Sequence, residues 1–401
     1  MKTFGIGGML FCVATLVQAQ EQLRIWQGGD DVRVTTRELL FDGTSFSAEG
    51  VSYSTSSVDS IALVHTVTVT YSGSTATVDL GHAPEVTYTV DGAHVSILST
   101  YDRGELEFVL KGQSTQGSLT YDGPLKCHFY LDGLNLKSDR GAAIDIQCGK
   151  RVIMELMPGT DNYLSDAAGG LQKAALYCKG HLELSGSGNL TVSGNAKHGI
   201  ATKEYLQLKR TVGTVMVSNA VSDGIHAGQY FLMNGGTLVL TNQKGDGLQV
   251  EKLMLADGVT PDPTKENNGQ IFVNGGTLTV TAASDDVKGI RSPGDMTVTG
   301  GTFNVTASGA GTKGISVTGN MLINQDSATT LMQIKATGGK YEDEVTEEES
   351  RCMGIKVAGN LTVNAGTIRV SYTGKGSRGI KINGTYTKSA AASVTANIKN
   401  D

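Results

Sequence analysis

Proline is nearly absent from this chain, with 6 residues of 401 against 53 glycines. Glycine is costly inside helices and useful in tight turns, and Thr and Val are abundant. The combination excludes a helix-rich protein and favours a turn-dense all-β one. Aromatic residues make up only 6%, which leaves few platforms for stacking on a flat crystalline glycan. A basic excess is also missing. The formal net charge is −6 and no long basic tract occurs, which excludes a general nucleic-acid binder, since that would need to displace counterions from phosphates. The five cysteines contain no CxxC pair of the kind that marks a metal site. Past the N-terminus no run reaches the ~18 apolar residues of a membrane span, and 39% hydrophobic residues argue against disorder.

Residues 1–19 read as a secretory signal peptide: Lys2, an apolar run from Ile6 to Leu16, then Val17 and Ala19 at the small-residue positions of a cleavage site. Cys12 sits inside the apolar run behind Phe11, where lipid attachment would want a small residue, so a lipoprotein is not expected. The mature chain is expected to start at Gln20 and to be exported to the periplasm, the cell surface or the medium. Loss of Lys2 takes its charge from −6 to −7. Cys127, Cys148, Cys178 and Cys352 remain, either as buried thiols or paired in one of three ways.

What the chain does have is an internal repeat. Gly199-Ile200, Gly224-Ile225, Gly247-Leu248, Gly289-Ile290, Gly314-Ile315, Gly354-Ile355 and Gly379-Ile380 are separated by 25, 23, 42, 25, 40 and 25 residues. A second signature, a glycine usually followed by Thr and then apolar-x-apolar, runs in step at Gly188, Gly213, Gly236, Gly276, Gly301 and Gly366. Each element reads as a short strand ended by a Gly or Asn turn. A unit of about 25 residues cannot bury its own apolar face, so successive units must stack to form a core. Three short strands per unit, stacked in parallel ~4.8 Å apart, predict a parallel β-helix, with right-handed coils expected at this coil length. A β-propeller, whose blades need about 40–45 residues, is the alternative.

The two long spacings predict loops, one near residues 257–269 and one near 338–350. The second carries Glu342, Asp343, Glu344, Glu347, Glu348 and Glu349. Residues 20–63 lack the repeat, contain the single Trp (Trp26), and predict a small β module capping the exposed end of the solenoid. Strands resume from Val64, Asp91-Gly92 is a favoured hairpin turn, and the first coils are expected between Val86 and Leu134. Residues 64–401 then form the solenoid domain.

Roughly residues 64–385 resemble the bacterial calcium-dependent carbohydrate-binding β-helix proteins. The motifs are Val90-Asp91-Gly92-Ala93-His94-Val95, the run Gly159-Thr160-Asp161-Asn162-Tyr163-Leu164-Ser165-Asp166, and repeated Asp-Gly-Ile turns followed by Gly-Gly-Thr strands. That family is similar in fold to pectate lyases and binds acidic polysaccharides such as polygalacturonate, and cellulose. The resemblance implies calcium as a cofactor. The opening Leu23-Arg24-Ile25-Trp26 module resembles one on secreted proteins of Bacteroides-type bacteria.

Equivalent positions of a solenoid stack into columns. The residue before each Gly-Ile glycine gives His198, Asp223, Asp246, Lys288, Lys313, Met353 and Arg378. The second residue after it gives Ala201, His226, Gln249, Arg291, Ser316, Lys356 and Lys381. Acids fall in the middle coils and cations toward the C-terminus. Asp223, Asp246, Asp285, Asp286 and Glu251 offer the hard oxygen ligands calcium prefers, the alternative being that each Asp satisfies turn N–H groups. Only Ser284-Asp285-Asp286-Val287 keeps the family's paired acids. Lys288, Arg291, Lys313, Lys356, Arg378 and Lys381 form a strip matched to the carboxylates of a polyuronate chain, or else an ordinary solvated face. Tyr230 and Tyr372 are the outward aromatic candidates in the coils.

The sequence therefore predicts an exported, monomeric, non-catalytic polysaccharide binder. A polyuronate lyase would need a base beside the metal, and the motifs around a catalytic Arg are not evident. HExxH, GxSxG and GxxxxGK[ST] are absent, and the GxGxxG at residues 309–314 has no helix after it. A structural or adhesive β-helix that binds no sugar is the third reading.

Overall fold

The computed structural model describes residues 13–15, 21–27, 30–36, 38–48, 50–81, 83–102, 104–323, 330–342 and 349–400. Of the expected leader it describes only Val13–Thr15, a strand antiparallel to Glu38–Phe41. Acids Asp343, Glu344, Glu347 and Glu348 of the second insertion lie outside the described residues. Among the described residues every regular element is a β-strand, and no helix is long and apolar enough to cross a membrane.

From Ile144 to Thr395 each coil contributes three strands to three parallel ladders, and Ile398–Asn400 adds a last strand to the first of them. The coil at residues 198–220, for example, is His198–Thr202, Leu206–Leu208 and Thr214–Ala220. The first ladder holds the Gly-Ile strands, the second the short strands, and the third the Gly-Thr strands. Register is kept from coil to coil: Ile200, Ile225, Leu248, Ile290, Ile315, Ile355 and Ile380 stand opposite one another and are fully buried. The two signatures in the sequence are thus two ladders of one solenoid. Each buried Ile or Leu adds roughly 1.5–3 kcal/mol of hydrophobic stabilisation, repeated coil after coil.

The Gly before each Ile has a steric cause. A Cβ built on Gly199, Gly224, Gly247, Gly289, Gly314 or Gly354 would sit 2.4–2.9 Å from the carbonyl oxygen of the equivalent glycine in the next coil. On Gly379 it would meet the Asn397 oxygen at 2.5 Å. Real Cβ atoms do not approach a carbonyl so closely, so any side chain here would push neighbouring coils apart.

Upstream, Cys127–Lys137 pairs with both Arg151–Leu156 and Asp161–Ser165, so the second and third ladders branch from one long strand. Asp91-Gly92 closes an antiparallel hairpin, with Gly92 at φ 62°. The parallel stack starts earlier than the expected Val86. Ser60–Ser72 runs antiparallel to Glu21–Gln27 up to Val64 and parallel to Glu105–Ser114 from Val64 onward. One strand therefore belongs to both the leading antiparallel sheet and the solenoid. The leading strands also have a small core of their own, Leu23, Ile25, Leu39, Phe46, Ala48 and Val58. They join the solenoid at the fully buried Glu107, which accepts from Arg33 at 2.6 and 2.9 Å and from Tyr130 Oη at 3.0 Å.

Both insertions fold back on the coils. In the first, Lys265 Nζ donates to Glu204 Oε1 at 2.8 Å and Gln229 Nε2 donates to Glu266 O at 2.8 Å. In the second, Lys340–Glu342 and Glu349–Arg351 form an antiparallel pair. All four cysteines from Cys127 on are buried free thiols.

The glycine column yields a direct test. Gly289→Ala should cost about 1–3 kcal/mol of stability, because its Cβ meets the Gly314 carbonyl at 2.5 Å. Gly141→Ala, with nothing within 4 Å, should stay within about 0.5 kcal/mol in the same urea titration. An unchanged midpoint for Gly289→Ala would remove the close approach from the account.

Candidate functional site

Acids at the coil turns serve first as caps for the next coil. Asp223 Oδ1 accepts from Asp246 N at 2.9 Å, Asp246 Oδ1 from Lys288 N at 2.7 Å, and Asp285 Oδ1 from Ala310 N at 2.7 Å. The same role falls to Asp166 for Asn195 N and, at another corner, to Asp295 for Asn320 N. A turn N–H left without its ladder partner is satisfied by a carboxylate one coil below, which is the ordinary use of Asp in turns.

The second oxygens differ. Asp223 Oδ2 lies 3.2 Å from His198 Nδ1 and 3.0 Å from His226 Nδ1, and His226 Nε2 lies 3.5 Å from Glu251 Oε2. Burial acts against the charged forms of Asp223 and His226, but hydrogen bonding outweighs it, with His198 and then His226 acting on Asp223, and Asp223 acting on His226. Asp223 is held well below the usual carboxylate range, and His226, bonded to Glu251 as well, is pushed up to about 9. The half-exposed Glu251 also accepts from Gln249 Nε2 at 3.0 Å. Asp246 Oδ2 is buried without a hydrogen-bond partner, with Arg291 Nη1 3.6 Å away, and burial raises its carboxyl.

Asp286 stands apart from this group. It takes a left-handed conformation at φ 49°, and its Oδ1 accepts from Ser350 Oγ at 2.6 Å and Lys313 Nζ at 3.1 Å. Lys313, expected in a solvent-facing strip, is instead buried, with its ammonium also donating to Gly311 O and Ser350 Oγ. Among the described residues the one set of three or more potential ligand atoms within 4.8 Å is His198, Asp223 and His226. The five acids expected to hold calcium do not converge on one oxygen cage, because capping occupies an oxygen of Asp223, Asp246 and Asp285 while Asp286 faces a lysine. Two imidazoles take places where calcium would need oxygens.

The cation columns are in register as read from the sequence. Arg291, Ser316, Lys356 and Lys381 stand opposite one another, and Lys399 extends the row. Lys288, Lys313, Met353 and Arg378 form the parallel row. Arg291 is half exposed and Lys288 less so, its Nζ donating to Asp286 O at 2.7 Å. Lys399 was not legible because its coil carries Asn397-Ile398 in place of Gly-Ile.

The Arg291 row continues the other way through Gln249, His226, Ala201, Tyr177, Asp145 and Thr120. There it meets a polar cleft of about 400 Å³ lined by His94, Ser118, Thr120, Arg140, Asp145 and Gln172. These coils read Ala143-Ile144 and Ala175-Leu176, so the Gly-Ile signature did not reveal them. Tyr230, expected to face outward, stacks on Tyr205 at 4.6 Å, and Tyr205 stacks on His181 at 4.2 Å. Tyr372 is exposed.

Residues 91–394 match the family model described as carbohydrate-binding domain-containing protein, and the chain belongs to that family. A carbohydrate-binding domain-containing protein of Acetivibrio thermocellus is 30% identical over 144 residues, covering 32% of this chain and 49% of the relative. The chain thus spans about half the length of the curated relative it matches. A solved structure of a polysaccharide lyase-like protein from C. thermocellum, a gadolinium derivative, aligns over 82% of this chain and 99% of its own, with a TM-score of 0.45 and 17% identity.

The capping role of Asp246 predicts two outcomes. Asp246→Ala strands the Lys288 N–H and should cost about 1–2 kcal/mol, whereas Asp246→Asn keeps the acceptor. Because the folded-state pKa of Asp246 is raised, its buried charge is unfavourable at neutral pH. That penalty disappears as pH falls through the folded value toward the unfolded one near 3.8. Wild type should therefore gain stability relative to Asp246→Asn as urea titrations move from pH 7 to pH 4, and parallel curves would contradict this.

Proposed function

We propose that the protein binds an acidic polysaccharide, such as polygalacturonate, along the outward face of the Gly-Ile ladder without cleaving it. The observation that carries the reading is the in-register row Arg291, Lys356, Lys381 and Lys399 in a chain of the carbohydrate-binding family. Coils repeat every ~4.8 Å, close to the length of one sugar unit in an extended chain, so carboxylates of the glycan meet cations at a matched interval. Arg offers a fork to a carboxylate and Lys a point charge. The cleft at His94, Ser118 and Asp145 extends the face with hydrogen-bonding groups suited to hydroxyls. Right-handed coiling, export by cleavage before Gln20, and action as a monomer belong to the same proposal. Calcium dependence, implied by the family resemblance, is the part that the acidic turns support least.

Retention on immobilised polygalacturonate tests the reading. The triple variant Arg291→Gln/Lys356→Gln/Lys381→Gln should bind at least tenfold more weakly. Lys335→Gln/Arg369→Gln, on the Gly-Thr ladder, should bind within twofold of wild type. Equal binding by the triple variant, or equal retention on neutral glucan, would overturn the ionic mode. Running each arm with calcium and with chelator separates a calcium-bridged mode from a direct one. Absorbance from unsaturated uronides in the same mixtures would identify a lyase instead.

A further inference from the structure

The geometry points to a binding site for a late first-row divalent metal ion, of the zinc, nickel or cobalt class, formed by His198 Nδ1, Asp223 Oδ2 and His226 Nδ1. The three atoms come from two successive coils, and all lie within 4.8 Å of one another. Asp223 Oδ2 stands 3.2 and 3.0 Å from the two ring nitrogens. Ligands on a tetrahedral ion with bonds of about 2.0–2.1 Å are separated by about 3.3 Å, so the set needs little rearrangement to close on a metal. The imidazoles stack, with centroids 4.4 Å apart and planes at 28°, which directs both Nδ1 atoms to the same carboxylate oxygen.

Two further observations favour a cation at this point. Glu251 Oε2 lies 3.5 Å from His226 Nε2, on the far side of the ring from Asp223. That is the arrangement by which an outer carboxylate takes the Nε2 proton of a ligating histidine and leaves Nδ1 bare for the metal. His198 Nδ1, in turn, faces the Asp223 N–H at 3.3 Å and the Asp223 carboxylate at 3.2 Å. A bare Nδ1 suits the N–H but sets a lone pair against the carboxylate, and a protonated Nδ1 does the reverse. A metal shared by Nδ1 and Oδ2 removes the repulsion between lone pair and carboxylate, and it displaces the long 3.3 Å hydrogen bond from Asp223 N, because Nδ1 has a single lone pair.

His198 and Asp223 are buried, while the His226 side chain retains 21% exposure. Three protein ligands with one solvent-facing side leave room for water or an incoming oxygen ligand to complete the coordination. Imidazole nitrogen selects against calcium and magnesium, which require oxygen. The inference stands apart from the glycan reading.

The test uses the full chain after chelator treatment and desalting, titrated with Zn²⁺ by calorimetry. One saturable site per chain is expected, with tenfold excess Ca²⁺ failing to displace the ion. His226→Gln, at a partly exposed position, should weaken Zn²⁺ binding at least tenfold. Glu251→Gln should weaken it about tenfold or more, and His181→Gln should leave it unchanged. Co²⁺ in the wild-type protein should shift the ring protons of His198 and His226 selectively, a readout that depends on no variant. Absence of a saturable site, wild-type affinity in His226→Gln, mole-for-mole displacement by Ca²⁺, or Co²⁺ shifts confined to other histidines would each overturn the proposal.

Discussion

From Gly199 to Gly379 the stacking of this solenoid depends on how closely one coil's backbone approaches the next at the Gly-Ile corner, whereas the flanking coils carry Ala143, Ala175 and Asn397 at that place. At Gly247 an added Cβ would lie 2.4 Å from the Gly289 oxygen, and at Gly314 2.6 Å from the Gly354 oxygen. With no side chain there, neighbouring coils keep strand spacing and the following Ile or Leu falls on its counterpart. A slip of one residue would turn this entire apolar column outward, so burial and close approach enforce the same register.

Fixed register is what turns a sequence repeat into surface chemistry. Once Ile290, Ile315, Ile355 and Ile380 are aligned, Arg291, Ser316, Lys356 and Lys381 are aligned with them on the opposite side of the strand. Charge in such a row is separated by strand spacing rather than by loop geometry. A repeating polymer has a matching periodicity. The same stacking explains why the acids behave differently from the cations: Asp223 and Asp246 sit at turns, where the next coil presents an unpaired N–H, and are drawn inward to cap it.

Periodic features were legible from the residues alone. The Gly-Ile and Gly-Thr spacings revealed parallel ladders, and the cation row followed from counting two positions past each glycine. Contacts that depend on side-chain direction were not legible. Lys313 occupies a column position like that of Lys288, yet Asp286, in a left-handed conformation, and Ser350, from an insertion 64 residues later, draw it inside. His198 and His226 appeared in two different columns, and only the turn at Asp223 brings their rings together. The early coils were hidden because Ala replaces Gly before Ile144 and Leu176, and the last because Asn397 replaces Gly before Ile398.

The central claim, that stacked coils present an in-register row to a periodic polyanion, is tested most directly by affinity as a function of ligand length. From Arg291 to Lys399 the row crosses five coils, a span of about 19 Å at ~4.8 Å per step. Calorimetry with oligogalacturonates of increasing length should show affinity rising as the chain reaches each further cation, with little gain at the Ser316 coil, and levelling off at about five units. Affinity that is already complete for a single uronic acid, or that is absent at every length, would contradict the account.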